Sequence, residues 1–112
     1  MIIAFTYEKE SKRVGQHFGD TEYFYLINTE TNERKEIDNG GYSHKELIPY
    51  LSSFDVNLLI CGGIGDMAVM LLNNEHINVI PGIDLTVDEA YDKYMSGKLV
   101  GNDKVIHKCG CH

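Results

Sequence analysis

Apolar positions in this chain fall into short runs separated by polar, glycine-bearing joints. The stretch that organises the rest is 57–73, NLLICGGIGDMAVMLLN. Its apolar run Leu58-Leu59-Ile60-Cys61 predicts a strand buried on both faces, as in a parallel sheet. Gly62-Gly63-Ile64-Gly65 follows as a turn. The spacing of Met67, Ala68, Met70, Leu71 and Leu72 then predicts a helix. Strand, glycine turn and helix are half of a βαβ unit.

The same reading covers the remainder. A first strand is expected over 2–7, followed by a charged, solvated loop over 8–13. An aromatic-rich second strand spans 22–28, a turn 29–32, and a mostly polar third strand 33–38, suited to a sheet edge. These three form an antiparallel meander. Ser43-His44-Lys45-Glu46 has capping-box spacing and opens a helix whose apolar side carries Leu47, Ile48, Leu51 and Phe54. Pro49 either kinks that helix or marks its true first turn. A fifth strand covers 77–80 and stops at Pro81-Gly82. Thr86-Val87-Asp88-Glu89 is a second capping box, its helix carrying Val87, Ala90, Tyr91, Tyr94 and Met95, with Gly97 placed to end it. Residues 100–105 read as polar and loose.

The order β-β-β-α-β-α-β-α implies an α/β fold with a mixed sheet and helices on both faces. Strands one and four are the most apolar and belong together at the centre, parallel, with right-handed crossovers. The loop holding His17, the turn 62–65 and Pro81-Gly82 then meet at one sheet edge, where open α/β sheets bind ligands. The division expected is a single domain over 1–100 and a polar tail over 101–112.

Composition narrows the function. The chain has 112 residues, one domain's worth, and a formal net charge of −7. That balance disfavours nucleic acid and anionic membranes, both of which reward clustered Lys and Arg. No segment has the roughly 18 apolar residues of a membrane span. Met1 leads straight into a strand, leaving no room for a signal peptide, so a cytoplasmic location is expected. Three cysteines, an odd number, read as reduced thiols or metal ligands rather than a disulfide frame.

Two constellations carry candidate chemistry. At the sheet edge, His17 lies near Cys61, and imidazole and thiolate both suit iron, zinc or copper. Read blandly, His17 hydrogen-bonds its own loop, Cys61 is a small buried apolar residue, and Phe18 is core. The N–H groups of Gly62, Gly63 and Gly65, with the helix start behind them, could form an anion-binding nest. Asp66 at that start would cap the helix and oppose an anion. The second constellation is the ending His107-Lys108-Cys109-Gly110-Cys111-His112. It packs four soft or borderline donors into six residues, poorly shaped for a mutual disulfide and matching no zinc-finger spacing. The bland reading is a polar terminus. Between Ile2 and Tyr7 no acid stands ready for two-metal chemistry, and no catalytic triad is signalled by spacing.

The opening strand, Val14-Gly15-Gln16-His17-Phe18-Gly19, the strand 22–27, Leu59-Ile60-Cys61-Gly62-Gly63-Ile64-Gly65 and Thr86-Val87-Asp88-Glu89-Ala90 together resemble the dinitrogenase iron–molybdenum cofactor biosynthesis family, the small NifX-like domains. The resemblance runs from Met1 to about Leu99. It implies a three-layer α/β/α domain with a ribonuclease H-like motif, its mixed five-stranded sheet ordered 3-2-1-4-5 with strand two antiparallel. It implies a carrier, not an enzyme, that binds the iron–molybdenum cofactor or an iron–sulfur precursor and exchanges it with metal-cluster assembly proteins. His17 is the implied ligand. Phe18, Gly19, Cys61, Gly62, Gly63 and Gly65 are the expected surroundings of the cofactor. His17, His107, Cys109, Cys111 and His112 are the expected metal donors. Two alternatives are a small redox or hydrolytic enzyme using Asp66, His17 or Tyr7, and a regulatory or scaffolding module pairing through the third strand.

Overall fold

A computed structural model describes residues 1–42 and 44–107, with His44 and 105–107 described by backbone alone. In chain order the elements are β1 (Ile2–Glu8), β2 (Arg13–Val14), β3 (Tyr23–Asn28), β4 (Arg34–Asp38), α1 (Leu47–Ser52), β5 (Leu58–Ile60), β6 (Ile64–Gly65), α2 (Asp66–Asn74), β7 (Asn78–Ile80), α3 (Val87–Met95) and β8 (Ile106–His107).

The main sheet follows the path β4-β3-β1-β5-β7. β1 pairs antiparallel with β3 and parallel with β5, while β5 pairs parallel with β7. The most apolar strands thus sit side by side at the centre. Strand periodicity then sorts their side chains. Ile3, Phe5, Leu58 and Ile60 face Val87, Ala90 and Tyr91 of α3. Ala4, Leu59, Phe24 and Leu26 face Leu47 and Leu51 of α1 and Leu72 of α2. Two cores on opposite sides of one sheet make the α/β layering.

The sheet has six strands rather than the expected five. The charged segment 8–13 is not a free loop. β1 continues through Glu8, the chain turns with Lys12 at φ 59°, and β2 returns against Tyr7 and Glu8. Lys12 N–H closes the turn on Glu8 O at 2.8 Å. Val14 is fully buried, so this hairpin is held by packing despite its charged tip.

The helix ends are also informative. α1 follows a 3₁₀ turn, and its N-cap is Glu46 with no side-chain cap bond. The expected cap, Ser43, lies outside the described residues. Pro49 occupies the third helical position, where an N–H would lack an intrahelical acceptor, so it marks the first turn. The N-cap of α2 is Gly65, and Asp66 is the first helical residue instead of the cap. At α3, Thr86 Oγ1 accepts from Glu89 N–H at 3.2 Å while Thr86 N–H donates to Glu89 Oε1 at 3.0 Å, as the spacing predicts. Gly97, at φ 74°, ends that helix.

The stretch 100–105, expected to be loose, is docked from Asn102 onward. Asn102 N–H donates to Pro81 O at 2.8 Å. Gly82 takes φ +77°, and a Cβ there would stand 2.6 Å from Asn102 Cβ. After a 3₁₀ turn at Asp103–Val105, β8 pairs parallel with β6, matching Ile64 with Ile106 and Gly65 with His107.

Candidate functional site

The carboxyl end of β1 builds the site through backbone hydrogen bonds. Gly15 N–H donates to Thr6 O at 2.7 Å, and the buried Thr6 hydroxyl returns a bond to Gly15 O at 2.8 Å. The next residues then run parallel to the glycine segment. Gly62 N–H donates to Gly15 O at 3.0 Å, Gly63 N–H to Gln16 O at 2.6 Å, and Phe18 N–H to Gly63 O at 3.0 Å. His17 is thereby held in register against Gly63. On the other flank Gly82 N–H donates to Gly62 O and Ile83 N–H to Cys61 O, both at 3.0 Å. The His17 loop, the glycine segment and Pro81-Gly82 meet at one edge of the sheet.

This lacing changes what the glycines do. None of Gly62, Gly63 and Gly65 has a positive φ. Gly62 is needed for closeness: a Cβ there would lie 2.6 Å from Gln16 Cα and 2.8 Å from Gln16 O, both backbone atoms. The N–H groups of Gly62 and Gly63 are donated within the fold, so the expected anion nest is not available as drawn. Those donors hold His17 in place instead.

Two further expectations are corrected by burial. Cys61 is fully buried in the core beneath α1 and α2, and burial pushes its thiol up to about 12. Its side chain is packed within the core rather than presented at the sheet edge. Phe18 is 3% exposed, with its ring centroid 6.2 Å from that of Phe24. It anchors the loop from below. Gly19 is half-buried in the turn that follows.

His17 itself is exposed and makes no hydrogen bond or ion pair with a described residue. It borders a cleft of about 590 Å³ whose walls include Tyr7, Glu8, Glu10, Asp20 and Glu22. Burial, and secondarily the charge of Glu36, raises the Tyr7 phenol above its ordinary value, so at neutral pH it lines the wall as an uncharged hydroxyl. Lys9 also borders the cleft, but its ammonium is engaged, 3.7 Å from Glu36 and 5.1 Å from the Tyr23 ring centroid. Four carboxylates against one occupied ammonium make the cleft attractive to cations. The 8–11 wall was missed by sequence reasoning. The available signal was its position, immediately after a buried strand and at the same sheet end as His17.

Among the described residues no group of three or more His, Cys, Asp or Glu side chains could hold a metal ion. Cys109, Cys111 and His112 lie outside the described residues. The backbone of His107 is described and lies beside Gly65. No described helix is long and apolar enough to cross a membrane.

Residues 1–97 match the family described as dinitrogenase iron-molybdenum cofactor. Three solved structures share the fold. The crystal structure of PH0822 aligns with a TM-score of 0.84 at 23% identity, covering 91% of this chain and 95% of that one. The apo form of the orange protein from Desulfovibrio gigas aligns with a TM-score of 0.80 at 24% identity, covering 90% and 92%. The NMR structure of a putative NifB protein from Thermotoga aligns with a TM-score of 0.74 at 24% identity, covering 89% and 91%. At these identities the likeness speaks to the fold alone. No curated protein matches the chain.

Proposed function

The chain belongs to the dinitrogenase iron-molybdenum cofactor family, and from that premise we propose that it binds and carries an iron–molybdenum or iron–sulfur type cluster, or a precursor of one. The observation that carries this reading is His17: an exposed imidazole without a partner among the described residues, fixed against Gly63 at the mouth of a cleft. A carrier must release its cargo, so one exchangeable ligand on a rigid backbone suits it better than a closed set of four.

The residues fit such cargo in part. His17 offers a ring nitrogen to an exposed metal of the cluster. Gly19 and Gly65 lie on the two segments that flank this position. Cys61, Phe18 and the N–H groups of Gly62 and Gly63 act one layer down, by fixing the backbone that presents the imidazole. On this reading the layered domain over 1–100 is the ribonuclease H-like arrangement expected of NifX-like proteins. Its partners are metal-cluster assembly proteins of the cytoplasm, and the chain catalyses no reaction of its own. A structural neighbour determined as an apo form is consistent with a protein met both with and without a ligand.

The test is anaerobic titration of the purified protein with isolated iron–molybdenum cofactor and, separately, with a [4Fe–4S] cluster. Bound iron and molybdenum are measured after gel filtration. Wild-type protein should retain cluster, and His17→Ala should bind roughly tenfold more weakly or worse, since even outer-sphere partners of a metal are worth 10–100-fold. A His17→Ala protein that binds as tightly as wild type would remove this site from the reading.

A further inference from the structure

We infer that β4 pairs antiparallel with β4 of a second copy of this chain, joining two sheets across a two-fold axis. This self-association goes beyond the carrier reading and needs no metal.

Backbone register leaves that edge open. β4 ends the sheet path and pairs with β3 on one side. Asn28 N–H donates to Glu33 O and Asn39 N–H to Glu22 O, both at 2.9 Å. Antiparallel ladders alternate, so Glu33, Lys35, Ile37 and Asn39 turn their backbone groups toward β3, while Arg34, Glu36 and Asp38 turn theirs outward. Among the described residues nothing accepts from those three outward N–H groups. Asp38 O accepts from the Tyr50 hydroxyl at 2.9 Å and keeps a second lone pair. The opposite edge is shorter and covered. β7 has three residues, Asn102 N–H donates to Pro81 O at 2.8 Å, and a Cβ on Gly101 would stand 3.1 Å from Ile80 Cγ2.

Charge sets the occupant and its direction. On the face toward α3, β4 carries Arg34, Glu36 and Asp38 in that order; Arg34 lies over the Tyr91 ring at 5.4 Å and donates to Asp88 Oδ1 at 2.7 Å. Charges on an edge strand ordinarily block pairing. Here the sign reverses along the strand. An antiparallel copy centred on Glu36 therefore sets Arg34 opposite Asp38 at both ends, whereas an in-register parallel copy sets like charge on like. The Arg34 guanidinium gives one nitrogen to Asp88 and has further N–H groups for Asp38 of the second copy. The two Glu36 carboxylates meet at the axis. Each lies 3.7 Å from a Lys9 ammonium and diagonal to Arg34 of the other copy, which offsets their repulsion. On the other face the stem of Lys35 runs beside Ile37 of the second copy.

The contact is small. A five-residue strand is about 17 Å long, and the net charge of −7 on each copy opposes the encounter. The pairing is accordingly reversible and concentration-dependent, at the low end of specific interfaces.

The test is sedimentation velocity of full-length, metal-free protein, with a reducing agent present so that no intermolecular disulfide contributes. Wild type should move from monomer toward dimer between about 10 µM and about 1 mM. Arg34→Asp sets acid against acid and should stay monomeric throughout. Arg34→Asp/Asp38→Arg restores opposite signs and should recover the wild-type concentration dependence. Glu36→Pro removes an outward N–H without touching the ladder to β3 and should also be monomeric, its melting curve showing that it folds. Should Glu36→Pro fail to fold, the charge-reversed pair decides. Hydrogen exchange locates the contact: the amides of Arg34, Glu36 and Asp38 should exchange more slowly at the high concentration. A wild type monomeric at about 1 mM, an Arg34→Asp protein that associates like wild type, or a dimer whose protection falls elsewhere overturns the inference.

Discussion

The backbone of His17 lies in parallel register against Gly63, whose N–H donates to Gln16 O at 2.6 Å and whose carbonyl accepts from Phe18 N–H at 3.0 Å. One residue from β1's loop is thus clamped to one residue beyond β5, with no side chain taking part. The imidazole has no partner among the described residues, and its position is set by main-chain bonds on either side of it.

That clamp predicts the cost of a single methyl group. Gly62→Ala would place a Cβ 2.6 Å from Gln16 Cα, and backbone there cannot rotate away. The two segments must separate, weakening the bonds Gly62 and Gly63 donate. Overpacking of this kind costs about 3 kcal/mol. For a chain of this size that lowers Tm by roughly 10 °C or more. Thermal unfolding by circular dichroism checks it, and a change under about 2 °C would contradict the clamp.

Much of this was legible in the residues, for physical reasons. The runs at 2–7 and 58–61 are apolar on both faces apart from Thr6, which only central strands tolerate, so the middle of the sheet and the meeting of its loops followed. Thr86 and Glu89 carry a local signal that needs no tertiary context. The function of the glycines was not legible. Gly62 requires nothing unusual of its own φ; it answers to Gln16, 46 positions away in sequence, and no local pattern encodes that approach. The hairpin at 8–14 was hidden because Lys and Glu at its tip are solvated while Val14 and Tyr7 hold its base. Residues 100–105 looked loose because they are mostly polar, yet their docking is made by backbone groups of Asn102 and Pro81.

The capping box at α3 predicts an acid-sensitive helix start. Hydrogen bonds from Thr86 hold the Glu89 carboxyl below its ordinary value, with Arg13 and Lys93 adding smaller effects. A depressed carboxylate stabilises the fold above its unfolded pKa, and that support is lost as pH falls through the folded value. Thr86→Ala should cost about 1 kcal/mol near neutrality. Glu89→Gln should flatten the loss of Tm below pH 5. Melting curves from pH 3 to 7 on both variants check it, and parallel acid limbs for wild type and Glu89→Gln would count against it.

Cys61 predicts the opposite limb. Its thiol ionises only near pH 12 in the folded chain, against an ordinary value of 9.0. Between those values unfolding releases a proton, so the stability the neutral thiol confers is intact below pH 9 and declines as pH rises. The decline approaches about 1.4 kcal/mol per pH unit at most. Cys61→Ala should lack this steepening, while tyrosines such as Tyr7 titrate alike in both proteins and cancel. Urea unfolding at pH 8, 9 and 10 measures the difference, and native Cys61 should resist alkylation by iodoacetamide at pH 8.

His17 and Phe18 are neighbours with opposite duties, and substitution should separate them. His17 is exposed and unpartnered among the described residues, so His17→Ala should change stability by less than about 0.5 kcal/mol. Phe18 is 3% exposed and packs on Phe24, so Phe18→Ala should cost about 3–5 kcal/mol. If binding resides at the imidazole, His17→Ala weakens it by roughly tenfold or more in a protein that melts like wild type. Phe18→Leu, which keeps most of the buried volume, should retain both fold and binding. Paired measurements of Tm and anaerobic cluster retention on the three variants decide the matter. A His17→Ala protein destabilised as severely as Phe18→Ala would mean that the histidine is structural, and the loop would then be part of the core, not a place where metal is held.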